Sequence, residues 1–408
     1  MNKILSTNIL IFLLSIVACS SKKNVSESNE KNKNVNGIEK STVNNSDENI
    51  TPKNNDTPLS PTKPTNGIQM PTGIYITSSA IDAGFSPSIV SNEDIEGIYL
   101  RLSWNSIEPE DDKYNWSFID QQIAQAIQYN KKVVIGIVSG RYTPEWVFGA
   151  GVPKLQFSEI NHRGKGKKAF SVAVAPPWDS KYQSFILDMQ TSLRDHLKAK
   201  PGFYDALIMV KFTGMNINTN EMRLPSQDKV TNGKDVTSDA IVIWQSAGYK
   251  PSKIISAFSK LMDGTIGIFP DKAISVPYIP DPQSFPAINE QGAECKPYEQ
   301  TVTEQIINLI GKKYNKQVLV QWNALRSGGK MSKYINMATS QGIAVGFQLA
   351  ENEFRINASG SDASFDELVK TSIDNKAYYL ESWEPALTQC KTATKNAKSK
   401  FRKAAGIN

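Results

Sequence analysis

The sequence predicts an α/β protein built as a (β/α)8 TIM barrel, and three observations carry that prediction. Eight short apolar runs follow one another between Gly73 and Trp383, each with the length and aliphatic content of a strand buried on both faces. Helical stretches stand between several of them, an alternation that calls for parallel strands covered on their outer side. No Gly-rich phosphate turn follows the first run, where Thr77, Ser78 and Ser79 stand, so an open doubly wound sheet is the less favoured arrangement. Residues 71–408 leave room for insertions, since such barrels run from about 200 to more than 400 residues.

Ahead of the barrel, Lys3 precedes an apolar run from Ile9 to Leu14 that closes as Ser15-Ile16-Val17-Ala18-Cys19. This has the form of a signal-type segment too short to span a membrane comfortably. An aliphatic residue, one more residue and a small residue before a cysteine resemble the bacterial lipobox. That resemblance implies a lipoprotein signal peptide at 1–18, cleavage before Cys19 and acylation of Cys19 with lipid such as palmitate. The expected address is the bacterial cell envelope, facing outward, and the outer membrane where the organism has one. Residues 19–70 are rich in Lys, Asn, Ser, Thr and Pro and lack aromatic residues; they cannot bury enough apolar surface to order themselves and are expected to form a disordered tether.

The expected strands follow in order: Gly73–Ile76, Gly97–Leu102, Lys132–Val138, a fourth beginning at Ala206, Ala273–Tyr278, Gln317–Trp322, Ile343–Leu349 and Tyr378–Trp383. Ile119, Ile123, Ala126 and Ile127 keep helical spacing, as do Phe185, Met189 and Leu193 in a helix over 181–198. Ile254–Met262 and Thr303–Ile310 read as further helices. Between the third and fourth strands lies a long excursion containing a Lys/Arg/Gly-rich stretch at 161–168.

Composition narrows the function. With 39% hydrophobic residues the chain suits a folded protein, and a formal charge of +6 scattered along 408 residues gives little support to nucleic-acid binding. With Cys19 lipidated, Cys295 and Cys390 remain, and an exported location allows a disulfide between them without requiring one. The two histidines, His162 and His196, stand among charged residues, so neither a metal site nor a cofactor is expected. The chain is read as a monomer.

In a barrel the C-terminal ends of the strands converge on one face, so those ends locate the candidate site. They supply Arg101 and Trp104, Arg141 and Tyr142, Asn220 and Glu221, Tyr278, Trp322 and Asn323, Gln348 and Glu351, and Glu381 and Trp383. Carboxylates, indoles and amides without histidine suit carbohydrate: aromatic faces stack on sugar rings, amides and Arg bond hydroxyls, and paired carboxylates cleave the acetal.

The segments Arg101-Leu102-Ser103-Trp104-Asn105-Ser106-Ile107-Glu108-Pro109, Tyr114-Asn115-Trp116, Thr143-Pro144-Glu145-Trp146, Pro176-Pro177-Trp178-Asp179 and Thr219-Asn220-Glu221 resemble the clan-A glycoside hydrolases, the β-galactosidase-like and cellulase-like barrels. The resemblance implies a retaining enzyme with Glu221 as acid/base, Asn220 on the sugar and Arg101 near the nucleophile. Glu351 is the first carboxylate after the seventh strand and is the expected nucleophile, with Glu353 as the alternative. Glu381 and Trp383 are expected to contact sugar, and Tyr278 to position it in place of the histidine that many relatives carry. A barrel that binds glycans without cleaving them is the competing reading.

Overall fold

The computed structural model describes residues 67–161, 168–278, 284–296, 302–350, 352–356 and 359–407. The expected signal peptide, Cys19, the tether to residue 66, the basic stretch at 162–167 and Glu351 lie outside the described residues. Just ahead of residue 71, Ile68 is only 6% exposed and Gln69 bridges in parallel to Lys272.

Twelve strands are present among the described residues: β1 (Gly73–Thr77), β2 (Gly97–Ser103), β3 (Lys132–Val138), β4 (Leu155–Asn161), β5 (Lys168–Val174), β6 (Leu207–Lys211), β7 (Val230–Asn232), β8 (Asp235–Ser238), β9 (Ala273–Tyr278), β10 (Val318–Leu325), β11 (Ala344–Leu349) and β12 (Ala377–Trp383). Eight of them close a barrel in the order β1-β2-β3-β6-β9-β10-β11-β12, and β12 pairs back onto β1 with Gly73 beside Tyr379. Every barrel pair is parallel. The protein is a (β/α)8 TIM barrel.

Each barrel strand is apolar along nearly its whole length because one face fills the barrel and the other meets helices. Tyr75, Tyr99, Val134, Met209, Ala273, Leu319 and Tyr379 pack with Ile68 into an inner cluster separate from the larger outer core. Side chains alternate along a strand, so two residues further on come Arg101, Gly136, Lys211, Ser275, Gln321 and Glu381. The barrel is therefore filled by an apolar layer below and a polar layer above.

Outside, the helix Ser180–Lys198 buries Ile186, Met189, Leu193 and Leu197; each such side chain contributes about 1.5–3 kcal/mol. Its N-cap is Asp179, whose carboxylate accepts from the Tyr182 amide at 2.9 Å, an arrangement typically worth about 1 kcal/mol. That cap gives Asp179 of the Pro-Pro-Trp-Asp segment a local structural job. No helix among the described residues is long and apolar enough to cross a membrane.

The excursion before the fourth barrel strand contains an antiparallel hairpin, β4 with β5. A second, short hairpin pairs β7 with β8. The thiols of Cys295 and Cys390 are not bridged.

Candidate active site

The loop after β6 carries Asn220 and Glu221 and is tied on three sides. Asn216 Oδ1 accepts from the Thr213 and Ser139 hydroxyls at 3.1 and 3.3 Å, and its Nδ2 donates to the carbonyls of Asn220 and Glu221 at 2.8 and 3.2 Å. The Arg141 amide donates to Ile217 O at 2.7 Å, and the Met222 amide to Pro277 O at 2.7 Å. Gly140 has φ +56°, and a Cβ there would lie 2.3 Å from the carbonyl oxygens of Asn216 and Ile217. Only glycine lets the β3 loop approach so closely in that conformation.

Asn220 is buried in the mouth, where its Oδ1 accepts from the Tyr99 hydroxyl and its Nδ2 has no hydrogen-bond partner. Burial, and then the charge of Glu381, push the Tyr99 hydroxyl well above its usual pKa, which keeps it a donor. Gly136 leaves room for this pair, since a Cβ on it would stand 2.8 Å from both Asn220 Nδ2 and Tyr99 Oη.

Glu221 Oε1 accepts from Asn323 Nδ2 at 2.9 Å, whereas Oε2 is buried without a protein hydrogen-bond partner. Burial alone would raise its pKa. The Asn323 amide, the Thr219 hydroxyl and the Arg101 charge outweigh it and hold the carboxyl below its ordinary value.

Beneath the mouth, Lys211 from β6 and Glu381 from β12 form a fully buried ion pair. Lys211 Nζ also donates to Gln321 Oε1 at 2.7 Å and lies 4.2 Å from the centre of the Tyr99 ring. Glu381 further accepts from the Tyr379 hydroxyl, from Gln321 Nε2 at 2.8 Å and from Gln348 Nε2 at 2.8 Å. Gln321 Nε2 also donates to Asn323 Oδ1 at 2.8 Å. An unbroken chain of hydrogen bonds thus runs from Lys211 through Gln321 and Asn323 to Glu221.

Above these groups opens a cleft of about 730 Å³. Of the residues expected to form the site, Arg101, Arg141, Tyr142, Asn220, Glu221, Asn323, Gln348 and Trp383 line it. Arg101 Nη1 donates to Ser78 O at 3.2 Å, and Trp383 Nε1 to Leu349 O at 3.0 Å.

The remaining expected contacts among the described residues are placed elsewhere. Trp104 is fully buried, donates to Glu108 Oε2 at 2.7 Å and packs edge-on against Trp146. Tyr278 is turned to Ser332 and Tyr334, Trp322 to Phe347. Glu381 belongs to the buried layer and does not line the cleft. Glu353 Oε2 accepts from the Ser327 amide at 3.3 Å and is not part of the lining either.

Lys211, Gln321 and Tyr99 were not among the expected site residues, nor were Arg223 and Arg355 of the cleft wall. For Lys211 the signal was present, as a single charge ending the run Leu-Ile-Met-Val. Among the described residues, Glu108, Asp111 and Asp112 have spacing that would suit a cation, but Glu108 is already engaged by the Trp104 indole and the Asp112 amide.

Residues 96–209 match the glycoside hydrolase family 42 model, described as beta-galactosidase. The match takes in β2, β3 and the first hairpin and ends inside β6, short of Asn220 and Glu221. No curated protein sequence matches the chain. The catalytic domain of a beta-amylase from Paenibacillus polymyxa is similar over 81% of this chain and 98% of its own, at 11% identity and a TM-score of 0.56. Xylanase 10B from Thermotoga petrophila RKU-1, in complex with xylobiose, is similar over 81% and 94%, at 13% identity and a TM-score of 0.44. The beta-amylase likeness shows the barrel fold, and the family 42 segment adds glycoside-hydrolase-type sequence around β2 and β3.

Proposed function

We propose that the protein is a lipid-anchored retaining glycoside hydrolase that cleaves a glycosidic bond in an oligo- or polysaccharide, with Glu221 as acid/base and Glu351 as nucleophile. The observation that carries this reading is the placement of Glu221, held through one oxygen by Asn323 at the wall of a cleft that also presents Asn220 and the Trp383 ring. Among the described carboxylates near the mouth, Glu381 is saturated by its donors and Glu353 is turned to Ser327. Both placements support Glu351, which follows β11 at the residue after Ala350, whose amide is fixed to Leu325 O at 2.7 Å.

A retaining pair divides its labour. One carboxylate attacks the anomeric carbon as the other gives its proton to the leaving oxygen, at a separation of about 5–5.5 Å. A carboxyl held below its ordinary pKa is ionised at neutral pH and has no proton to give, so Glu221 needs the negative charge of a neighbouring nucleophile to raise it. The depressed pKa of Glu221 favours, as the second reading, a barrel that binds glycan without cleaving it.

The test is hydrolysis across a glycan panel with Glu351→Gln and Glu221→Gln. Glu351→Gln should abolish glycosyl-enzyme formation, because a neutral amide cannot attack. Glu221→Gln should lose roughly 10²–10⁴-fold in turnover yet keep the first step on substrates with good leaving groups. Azide should then restore turnover and give a glycosyl azide of unchanged configuration. Activity unchanged in both variants sinks the assignment; no hydrolysis of any glycan that the protein binds leaves the binding module.

The anchor rests on the sequence around Cys19. Cys19→Ser should release the protein from membranes or block its processing, and a variant processed and retained like the parent would refute the lipoprotein reading.

A further inference from the structure

A carboxamide can meet its neighbours in either of two senses, with its amino group and its carbonyl exchanged. In the buried layer that choice is forced. Lys211 Nζ, held in its ion pair with Glu381, has hydrogens to give and no lone pair. The Gln321 atom 2.7 Å from it therefore has to be the carbonyl oxygen, Oε1. The Ser275 hydroxyl donates to the same oxygen at 2.8 Å. Gln321 Nε2 is thereby turned the other way, where it donates to Glu381 Oε2 and to Asn323 Oδ1, each at 2.8 Å. With Oδ1 committed to Gln321, Asn323 has its Nδ2 left to face Glu221 Oε1 at 2.9 Å. The opposite sense would set amino group against amino group at one end and a carbonyl against a carboxylate at the other.

Gln321 and Asn323 stand two residues apart on β10, so the strand holds their spacing while the ion pair holds their sense. The charged and titratable groups around this chain are Lys211 of β6, Tyr99 and Arg101 of β2, Tyr379 and Glu381 of β12, and Glu221. Tyr75 of β1 lies against Tyr379. From β9, β10 and β11 come the uncharged Ser275, Gln321, Asn323 and Gln348. Lys211 bonds Gln321 and Glu381 and makes no hydrogen bond to Glu221 among the described residues, so its hold on that carboxylate runs through the amides.

We propose that Lys211 is a positioning residue for Glu221: through Gln321 it fixes the sense of the Asn323 amide, so that a donor and not an acceptor meets the carboxylate. This rests on the reading of Glu221 as the working carboxylate and adds to it a residue that does not line the cleft. Freed of Lys211, both amides could turn over, and the Asn323 carbonyl could then accept from the O–H of a protonated Glu221. The chain as built denies the protonated form that partner and favours the ionised one.

The test reads the Glu221 pKa itself, from the pH dependence of its side-chain carboxyl carbon-13 signal in the full chain labelled at glutamate, with Glu221→Gln assigning the signal. Lys211→Met combined with Glu381→Gln removes both charges together, which leaves no buried charge alone and little net change in charge beside Glu221. Gln321→Met keeps the ion pair and cuts the chain at its middle. Each should raise the Glu221 pKa by about half to one pH unit, the worth of one hydrogen bond. In a chain already carrying Asn323→Ala, neither should raise it further, because the last link is gone. A Glu221 pKa unmoved by both changes would overturn the proposal. So would a rise in the paired variant alone, or a rise of equal size without Asn323, since either would be charge acting through space. Gln321→Met leaves no charge unpaired, so it decides the matter if the paired variant fails to fold. No substrate enters the measurement, and the two readings therefore fail separately. A shift without hydrolysis of any glycan keeps the positioning role and removes the hydrolase; hydrolysis without a shift does the reverse. Where a glycan is cleaved, the limb of the kcat/KM profile that Glu221 governs should move up with the same variants.

Discussion

Two carboxylates in the upper part of one barrel have opposite fates. Glu381 stands on a strand, is fully buried, and takes hydrogen bonds from Lys211, Gln321, Gln348 and Tyr379. Glu221 stands on a loop just past a strand, takes a hydrogen bond from Asn323 of β10, and leaves Oε2 without a protein donor. A strand is fixed in register with its two neighbours in the closed ring, so a buried charge there can be given every partner it needs. A loop held by Asn216 can instead keep an oxygen unsatisfied. Buried polar atoms without partners are rare, and their cost is tolerated where function requires it. The saturated carboxylate also serves the unsatisfied one, since Gln321 bonds both Glu381 and Asn323.

The largest effect that would break this contrast is on stability. Glu381→Ala leaves the Lys211 ammonium buried without its carboxylate and should cost about 3–5 kcal/mol, whereas replacing both residues by apolar ones should restore much of the loss. Glu221→Ala, which removes a half-satisfied group, should cost about 1 kcal/mol or less. Denaturant unfolding compares the three, and equal losses for Glu381→Ala and Glu221→Ala would end the distinction. The sign with pH is a second check. Burial already lowers the Lys211 pKa, with Glu381 opposing it; without Glu381 it falls further. The folded variant then binds fewer protons than the unfolded chain over a wider range below the normal lysine pKa, so its stability deficit should shrink as pH rises.

The same distinction explains what could be read from the sequence. The eight barrel strands were legible because parallel buried strands are continuous apolar runs, and Asn220 and Glu221 were legible because they end one such run. Parity within the strand decides which end residues face inward. Gln321 and Asn323 point into the barrel, so Trp322 between them points out to Phe347. Ser275 points inward to Gln321, which turns Tyr278, three residues on, toward Ser332. Trp383 shares the parity of Glu381 and does reach the cleft. The hairpin of β4 and β5 was also readable, from Leu155 and Phe157 alternating with polar residues and from Phe170, Val172 and Val174 at every second position. The pairing of Lys211 with Glu381 was not, because 170 residues separate them and only closure of the ring brings their strands to face each other. Arg355 likewise follows a strand end by six residues and gave no local signal.

The smaller and sharper test lies at the link between the two carboxylates. Asn323 is the first of the groups that lower the Glu221 pKa against burial, ahead of Thr219 and Arg101. Its Nδ2 donates to the ionised carboxylate, so Asn323→Ala removes a bond made mainly to the charged form and the pKa of Glu221 must rise. In a retaining enzyme that uses Glu221 as the acid, the proton then stays on to higher pH, and the alkaline limb of the kcat/KM profile should move up. If Glu221 works ionised, as a base or a nucleophile, the same change should move the acid limb up and reduce activity at neutral pH. The direction of the shift therefore reports which form of Glu221 does the work. Unfolding should change by only about 0.5–1.5 kcal/mol, the net worth of one hydrogen bond, which separates an electrostatic effect from a collapse of the layer beneath. A profile with both limbs in place would mean that Asn323 holds Glu221 in position without tuning it, and that the buried layer supports the site by geometry alone.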